Sequence, residues 1–583
     1  MSNSVAPIDG HSVEPIDLEK SPDSTFADGH DNDKDFGTQT TADHYAETGS
    51  IYDSDFEEIG LMKQGLHQRH IQMIALAGCI GVGLFLNSGR GIAAAGPLGA
   101  FLAYSIMGVF VSSVVLTVGE MGALVPLSGG VVRYADYFVD KSLAFAMGWN
   151  QIYSYAVSIP AELVAASVLV EYWTTSISSA VFITIFSVAL LLVALVFVRV
   201  YGEIEFTFAI LKIMLIIGIN IMALVITCGG GPEGGAIGFR YWKHPGPFVQ
   251  YLGISGSLGR FLGELIGLIP VRFDLLRFWK TLVNALYAFS GSENISLAAA
   301  EVRNPRRSIP KAAKRIFARI LMFYVISIFM VGLVVPSNDP HLLKSTGTAS
   351  QSPFVIAAVR AGIKGVPSII NTIVITSAWS SANSNMLGGP RVLYGLAKHG
   401  HAPRIFLRLN RFGVPYVAVS FLGIFMCLGF MTLSSSSANV FGWLQDMVAI
   451  STMVNFILIL VIYLRYYYAT RAQGVNRHTE LPWAAPFQLY ASWASVSCFL
   501  LLYITGGFNT FIHGQWSTET FVSNYLNLPV VGILYVGHKY LRQTKIKPLP
   551  AVPLRKFIEH AQNNPEPPPK PKKGLQKLNI LWG

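Results

Sequence analysis

The chain has 583 residues, of which 52% are hydrophobic and only 13% charged, with a mean hydropathy of +0.46. A soluble protein carries about a quarter charged residues, so composition argues against an ordinary water-soluble enzyme. The net charge of +10 could suit nucleic acid, but the basic residues stand in short clusters between apolar runs. That is a pattern of membrane topology and excludes nucleic acid as a partner.

Residues 1–60 hold fifteen Asp or Glu against Lys20 and Lys34. An acidic, Ser/Asp-rich stretch with few aromatics cannot bury enough apolar surface to fold, so it reads as a disordered tail. It lacks the charged start and apolar run of a cleaved signal peptide. A helix needs roughly 20 apolar residues to cross a bilayer. Twelve such stretches follow, near 71–92, 97–124, 143–172, 179–198, 204–227, 281–300, 313–336, 366–394, 415–434, 440–467, 485–507 and 519–540. A Pro/Lys-rich tail is expected over 541–583. The four cysteines, Cys79, Cys228, Cys427 and Cys498, have neither disulfide nor metal spacing and read as small apolar packing residues.

Lys and Arg in short loops set orientation. Arg133 and Lys141 follow the second span, Arg303 to Arg315 the sixth, Arg391 to Arg411 the eighth, and Arg465, Arg471 and Arg477 the tenth. Lys539, Arg542, Lys545 and Lys547 follow the twelfth. All fall on one side, which predicts cytoplasmic termini. The fifth-to-sixth loop, with Arg240, Lys243, Arg260, Arg272, Arg277 and Lys280, breaks the asymmetry.

Two spans are interrupted. Span one carries Ile80-Gly81-Val82-Gly83-Leu84-Phe85, and span six carries Phe289-Ser290-Gly291-Ser292-Glu293-Asn294. Each opens a run of five spans, one to five (71–227) and six to ten (281–467), and an odd number per half makes the halves inverted. Paired Gly-interrupted spans at matching positions point to a transporter's substrate site. Where span one unwinds, amides at the start of its second half suit a carboxylate. Where span six unwinds, released carbonyls suit an ammonium. Together they fit an α-amino acid. Tight helix packing is the alternative reading of the span-one glycines, and Glu293 beside the second break favours a functional site.

These residues resemble the fungal amino-acid permeases of the yeast amino acid transporter family, within the amino acid–polyamine–organocation superfamily. The likeness runs from about residue 60 to 540. It rests on Gly81 to Phe85, on Gly119-Glu120-Met121 with Pro126 and Ser128-Gly129-Gly130, on Phe289 to Glu293, on AAAEVRNPRRSIPKAAKR (298–315) and on LYGLAKHGHAP (393–403). The resemblance implies an all-α integral membrane protein of twelve transmembrane helices, a LeuT-like 5+5 inverted repeat plus two extra helices. It implies a proton-coupled permease importing amino acids across the plasma membrane by alternating access. A sensor that binds amino acids but transports little is the alternative. No enzymatic constellation, metal cluster or cofactor motif is expected. The partners implied are the amino-acid substrate, protons and the lipid bilayer, with Lys20 and Lys34 open to ubiquitin-ligase machinery.

By position in the family pattern, the substrate carboxylate meets Ile80, Gly81, Val82, Gly83 and Leu84, and the ammonium meets Phe289, Ser290, Gly291, Ser292 and Glu293. Lys212 of span five is assigned to proton coupling, with a snorkelling lysine as alternative. Glu293, Glu120 and Glu162 are assigned to coupling or gating. For Glu120 a solvated interfacial carboxylate stands beside that role, and for Glu162 substrate contact or helix–helix bonding. Trp379, Ser381, Asn383 and Asn455 are expected to line a side-chain pocket, with packing as the alternative. The chain departs from the family pattern twice. ELIGLIPVRFDLLR (264–277) separates GRFLG from Phe278-Trp279, read as a translated intron or a loop insertion. Asn385 to Pro390 replaces the usual stretch in span eight and puts the geometry of that span in doubt.

Overall fold

The computed structural model describes residues 81–126, 130–174, 176–196, 201–232, 235–249, 274–293, 305–343, 352–511 and 516–566. The acidic tail, Ile80, Ser128, Gly129, residues 264–273 of the departure and residues 567–583 lie outside them. Every regular element among the described residues is helical. The order is α1 (Val82–Phe85), α2 (Asn87–Leu124), α3 (Val131–Phe138), α4 (Lys141–Val170), α5 (Ser179–Leu195), α6 (Tyr201–Thr227) and α7 (Asp274–Ala288). Then come α8 (Pro305–Arg319), a π-turn over Ile320–Val325, α9 (Ile326–Val334), α10 (Pro353–Arg360), α11 (Val366–Lys398) and α12 (Tyr416–Ile424), which tightens to a 3₁₀ helix over Phe425–Leu433. The chain ends in α13 (Ser437–Ala472), α14 (Gln488–Gly506), α15 (Thr518–Tyr525), α16 (Asn527–Arg542) and α17 (Leu554–Asn563).

Six helices among the described residues are long and apolar enough to cross a membrane, or seven if α15 and α16, bent by 47°, count as one. The chain is thus a multi-pass membrane protein. The other expected spans differ for separate reasons. Helix α5 and residues Met322–Val334 are apolar but shorter. Helix α11 is long but carries many Ser and Asn, and span six passes through its break into residues outside the described set. Helix α2 contains the boundary between spans one and two. Gly96 at φ 81 and ψ 173 turns the chain there, ahead of Pro97. A Cβ on Gly96 would stand 2.7 Å from the Pro247 carbonyl oxygen, so only glycine fits the turn against that loop.

The faces of α6 show the solvent. Met214, Ile217, Ile221 and Leu224, spaced three and four apart, are exposed, whereas Glu205 and Lys212, two turns apart, are buried. An apolar outside with ionisable groups inside is the arrangement lipid imposes. Cys228 and Cys427 also lie exposed on the outer surface, not in the interior packing expected of them. Helix α4 packs against α11 and α13 at the centre of the bundle. Helix α11 runs unbroken through Gly388, Gly389 and Pro390. A Cβ on Gly388 would stand 3.2 Å from Tyr155 OH of α4 and one on Gly389 2.5 Å from Leu422 Cδ1 of α12, so the two glycines make room for these side chains. The departure in span eight is therefore absorbed by packing.

Part of the expected tail is folded onto the bundle. The Lys547 amide donates to the Val139 carbonyl beyond α3 (3.0 Å), and Gln473 at the end of α13 donates to the carbonyls of Leu549 and Val552 (3.1 and 2.7 Å). Arg306 of α8 donates to the Ala561 carbonyl (2.9 Å). Leu554, Phe557 and Ile558, spaced i, i+3, i+4, are buried, and the Phe557 ring meets Tyr137 edge-on at 5.2 Å. Residues 544–566 thus strap α3, α8 and α13 together.

Phe557→Ala removes a buried ring worth about 3 kcal/mol. It is expected to lower the thermal unfolding midpoint of the detergent-purified protein, whereas Glu559→Ala, on the exposed side of α17, is expected to leave it unchanged. Fluorescence-detected size exclusion after heating checks both.

Candidate functional site

A cavity of about 60 Å³ lies between α4, the break after α7, α11 and α13. Helix α4 contributes Gln151, Ser154, Tyr155, Ser158 and Glu162, a polar stripe on one face of an otherwise apolar helix. Span six contributes Tyr287 at the end of α7 and Ser290, Gly291 and Glu293 from the break. Helix α11 gives Ser381, Ser384 and Asn385, and α13 gives Val448 and Asn455. Val448 is the one apolar side chain in this lining.

Local structure places each group. Helix α7 ends at Ala288, and Gly291 takes φ 83, a left-handed conformation that turns the chain out of the helix. Helix α1 starts at Val82 after an extended Gly81 (φ −129, ψ −163). A Cβ on Gly81 would face Glu162 Oε1 and Ser381 Oγ at 3.5 Å, so this backbone adjoins the cavity. A Cβ on Gly83 would stand 2.7 Å from the Ala288 Cα. Gly83 therefore serves the close approach of the two broken spans, while Gly81 borders the site.

Several freed carbonyls are already satisfied. Tyr324 OH donates to the Ala288 carbonyl (2.9 Å), Ser352 Oγ to that of Phe85 (3.0 Å), and Asn87 Nδ2 to that of Asn284 (2.8 Å). The Phe289 carbonyl accepts from the Ser292 amide (3.4 Å). Phe289 itself packs on Tyr104 and Tyr324, and Ser292 is buried, and neither lines the cavity. Val82 and Leu84 are fully buried.

Glu162 accepts from Ser381 Oγ (3.1 Å) and Tyr287 OH (3.4 Å) at Oε1. Its Oε2 has no hydrogen-bond partner among the described residues, and neither does the Gln151 Oε1 or the Asn455 Nδ2. These three atoms belong to side chains at most 7% exposed. Asn455 Oδ1 is held by Asn150 Nδ2 (2.8 Å), which fixes its amide across the α4–α13 contact. Lys212, 1% exposed, lies close enough to Glu162 to act on it electrostatically, although it does not line the cavity.

Three expected residues lie elsewhere. Glu120 is completely buried, not solvated. Arg477 clasps both its oxygens (2.7 and 2.8 Å), Tyr463 OH donates to Oε2 (3.0 Å), and so does the Ala485 amide (2.9 Å). It ties α2 to the end of α13 and the segment leading to α14. Trp379 donates to the Phe186 carbonyl (3.4 Å) and meets Phe208 edge-on, toward α5 and α6. Asn383 is buried outside the lining. Of the four pocket residues expected, Ser381 and Asn455 reach the cavity.

Sequence reasoning missed Gln151, Ser154, Tyr155, Ser158, Tyr287, Ser384, Asn385 and Glu205. Glu205 accepts from Ser380 Oγ on both oxygens (2.9 Å each) and pins α6 to α11. The α4 residues had a signal, since polar side chains at 151, 154, 155, 158 and 162 follow helical spacing through an apolar span.

Residues 70–550 match the family model described as amino acid permease. The chain is 37% identical over 492 residues to the proline-specific permease of Saccharomyces cerevisiae, covering 83% of this chain and 76% of that protein. It is 34% identical over 504 residues to the dicarboxylic amino acid permease of the same yeast, covering 85% and 80%. A manganese transporter of Eremococcus coleocola shares the fold, with a TM-score of 0.56 over 84% of this chain and 94% of that one. At 12% identity that likeness concerns the fold alone. The chain belongs to the amino acid permease family.

Proposed function

We propose that the chain is a proton-coupled symporter that imports amino acids across the plasma membrane by alternating access, with both termini cytoplasmic. The observation that carries this reading is the polar cavity at the turn after α7, where buried Glu162 and Glu293 stand beside Ser290 and Gly291 and the Gly81 backbone adjoins. A family of amino-acid permeases supplies the substrate class. The substrate carboxylate lies at the amides that open α1 beside Gly81, and its ammonium at Glu162 and the Ser290 region. Twelve spans form two inverted five-span halves (71–227 and 281–467) with two more appended. The acidic residues 1–60 form a cytoplasmic tail whose lysines serve ubiquitin-dependent retrieval.

Lys212 is assigned to coupling. A buried ammonium beside Glu162 is placed to exchange a proton as substrate arrives. Glu120, fully paired with Arg477, acts as a latch at one end of the bundle. Glu162 and Glu293 carry substrate contact and proton linkage.

Radiolabelled amino-acid uptake into proteoliposomes, with and without an inward proton gradient, tests this reading. Gradient-stimulated accumulation is expected, whereas saturable binding without accumulation would assign the chain to sensing. Lys212→Ala is expected to spare binding and abolish accumulation, and a mutant that still concentrates substrate would remove the coupling role. Gly81→Ala is expected to weaken binding about tenfold at an unchanged thermal midpoint, because its Cβ enters the site at ordinary contact distance. Gly83→Ala is expected to lower the midpoint, since its Cβ meets the Ala288 backbone. Equilibrium binding and thermal unfolding of the two purified variants separate these effects.

A further inference from the structure

The side-chain class of the substrate follows from which cavity atoms lack partners. Glu162 Oε2 and Gln151 Oε1 are buried acceptors, and Asn455 Nδ2 is a buried donor, none with a hydrogen-bond partner among the described residues. All three belong to residues that line the cavity. A buried polar atom left unmatched costs the full desolvation of that group, so a ligand that completes these bonds is favoured over one that only fills space. Size is a second restriction, because a cavity of about 60 Å³ holds about four to six waters. That is the bulk of a small amino acid, not of an aromatic one. Charge is a third. The lining has two carboxylates, Glu162 and Glu293, and no Lys, Arg or His. In no protonation state does it offer a positive side chain to a second carboxylate.

Resting on the amino-acid transport reading, we infer that this site selects small, uncharged amino acids whose side chain can donate a hydrogen bond, serine being the type. With the ammonium at Glu162, its hydroxyl donates to Gln151 Oε1 and accepts from Asn455 Nδ2. Aspartate and glutamate bring a second negative charge to a lining that holds two carboxylates and no cationic side chain. Leucine and phenylalanine cover polar atoms without bonding them, with Val448 and the rings of Tyr155 and Tyr287 the apolar surface left to meet them.

The test is gradient-driven uptake of labelled L-serine into proteoliposomes, competed by serine, alanine, aspartate, glutamate, leucine and phenylalanine. Serine is expected to compete at least about tenfold better than the dicarboxylic and large apolar amino acids. It is expected to compete about threefold better than alanine, which lacks the hydroxyl. Glutamate or phenylalanine competing as well as serine overturns the inference while leaving amino-acid transport standing. Accumulation of no amino acid at all overturns both. Detergent-purified Glu162→Gln, assayed by binding so that lost transport does not matter, is expected to narrow the serine–aspartate gap at least threefold. An unchanged gap there and in Glu293→Gln would remove the charge argument.

Discussion

A backbone amide or carbonyl freed inside a membrane has no water to turn to, and most of this bundle is arranged around that constraint. Among the described residues, Gly81 is extended ahead of α1, and the chain leaves α-helical geometry after Ala288. At each place other helices cover the exposed groups. Tyr324 caps the Ala288 carbonyl, Ser352 that of Phe85, and Asn87 reaches across to Asn284. Gly83 allows the two interrupted segments to touch through backbone. Gly81 and the residues that follow Ala288 thus border one polar cavity. Most of the freed carbonyls are used for structure, so recognition falls more on side chains than the sequence suggested.

The same accounting sorts the buried carboxylates. An ionisable group inside a span is costly unless its lone pairs are met. Glu120 is met four ways by Arg477, Tyr463 and Ala485, and Glu205 is held on both oxygens by Ser380. Glu162 is satisfied on one oxygen only, and its other oxygen has no hydrogen-bond partner among the described residues. Partners on other helices mark the first two as joints. Glu162, with one oxygen left open, faces the cavity.

The all-helical membrane class and the family were legible because each rests on local pattern. Long apolar runs, Gly-x-Gly in a helix and Ser-Gly-Ser-Glu in another need no knowledge of neighbours. Which face a residue presents was less legible. Trp379 and Ser381 are two positions apart on α11, about 200° around the helix, so one faces α5 and α6 while the other reaches Glu162. Glu120 looked interfacial because its partner Arg477 is 357 positions away. The folding of 544–566 onto the bundle was hidden by a Pro- and Lys-rich composition that suggests a tail, although Leu554, Phe557 and Ile558 carry the spacing of a half-buried helix.

Helix α13 connects these features mechanically. It lines the cavity with Val448 and Asn455, and it extends about 15 Å from Asn455 to Arg465 at 1.5 Å per residue. Near its beginning, Arg90 of α2 donates to the Ala438 carbonyl (2.9 Å). At its far end Tyr463 joins the Glu120 latch, Arg465 donates to the Phe138 carbonyl (3.1 Å), and Gln473 holds the strap. A straight helix held at both ends transmits a tilt rather than absorbing it. A rearrangement at Asn455 that shifts α13 must therefore strain the contacts to α2, α3 and the 544–566 strap together. In the transport reading proposed above, a shift of α13 that opened the cavity toward that end would load the Glu120–Arg477 contact as well.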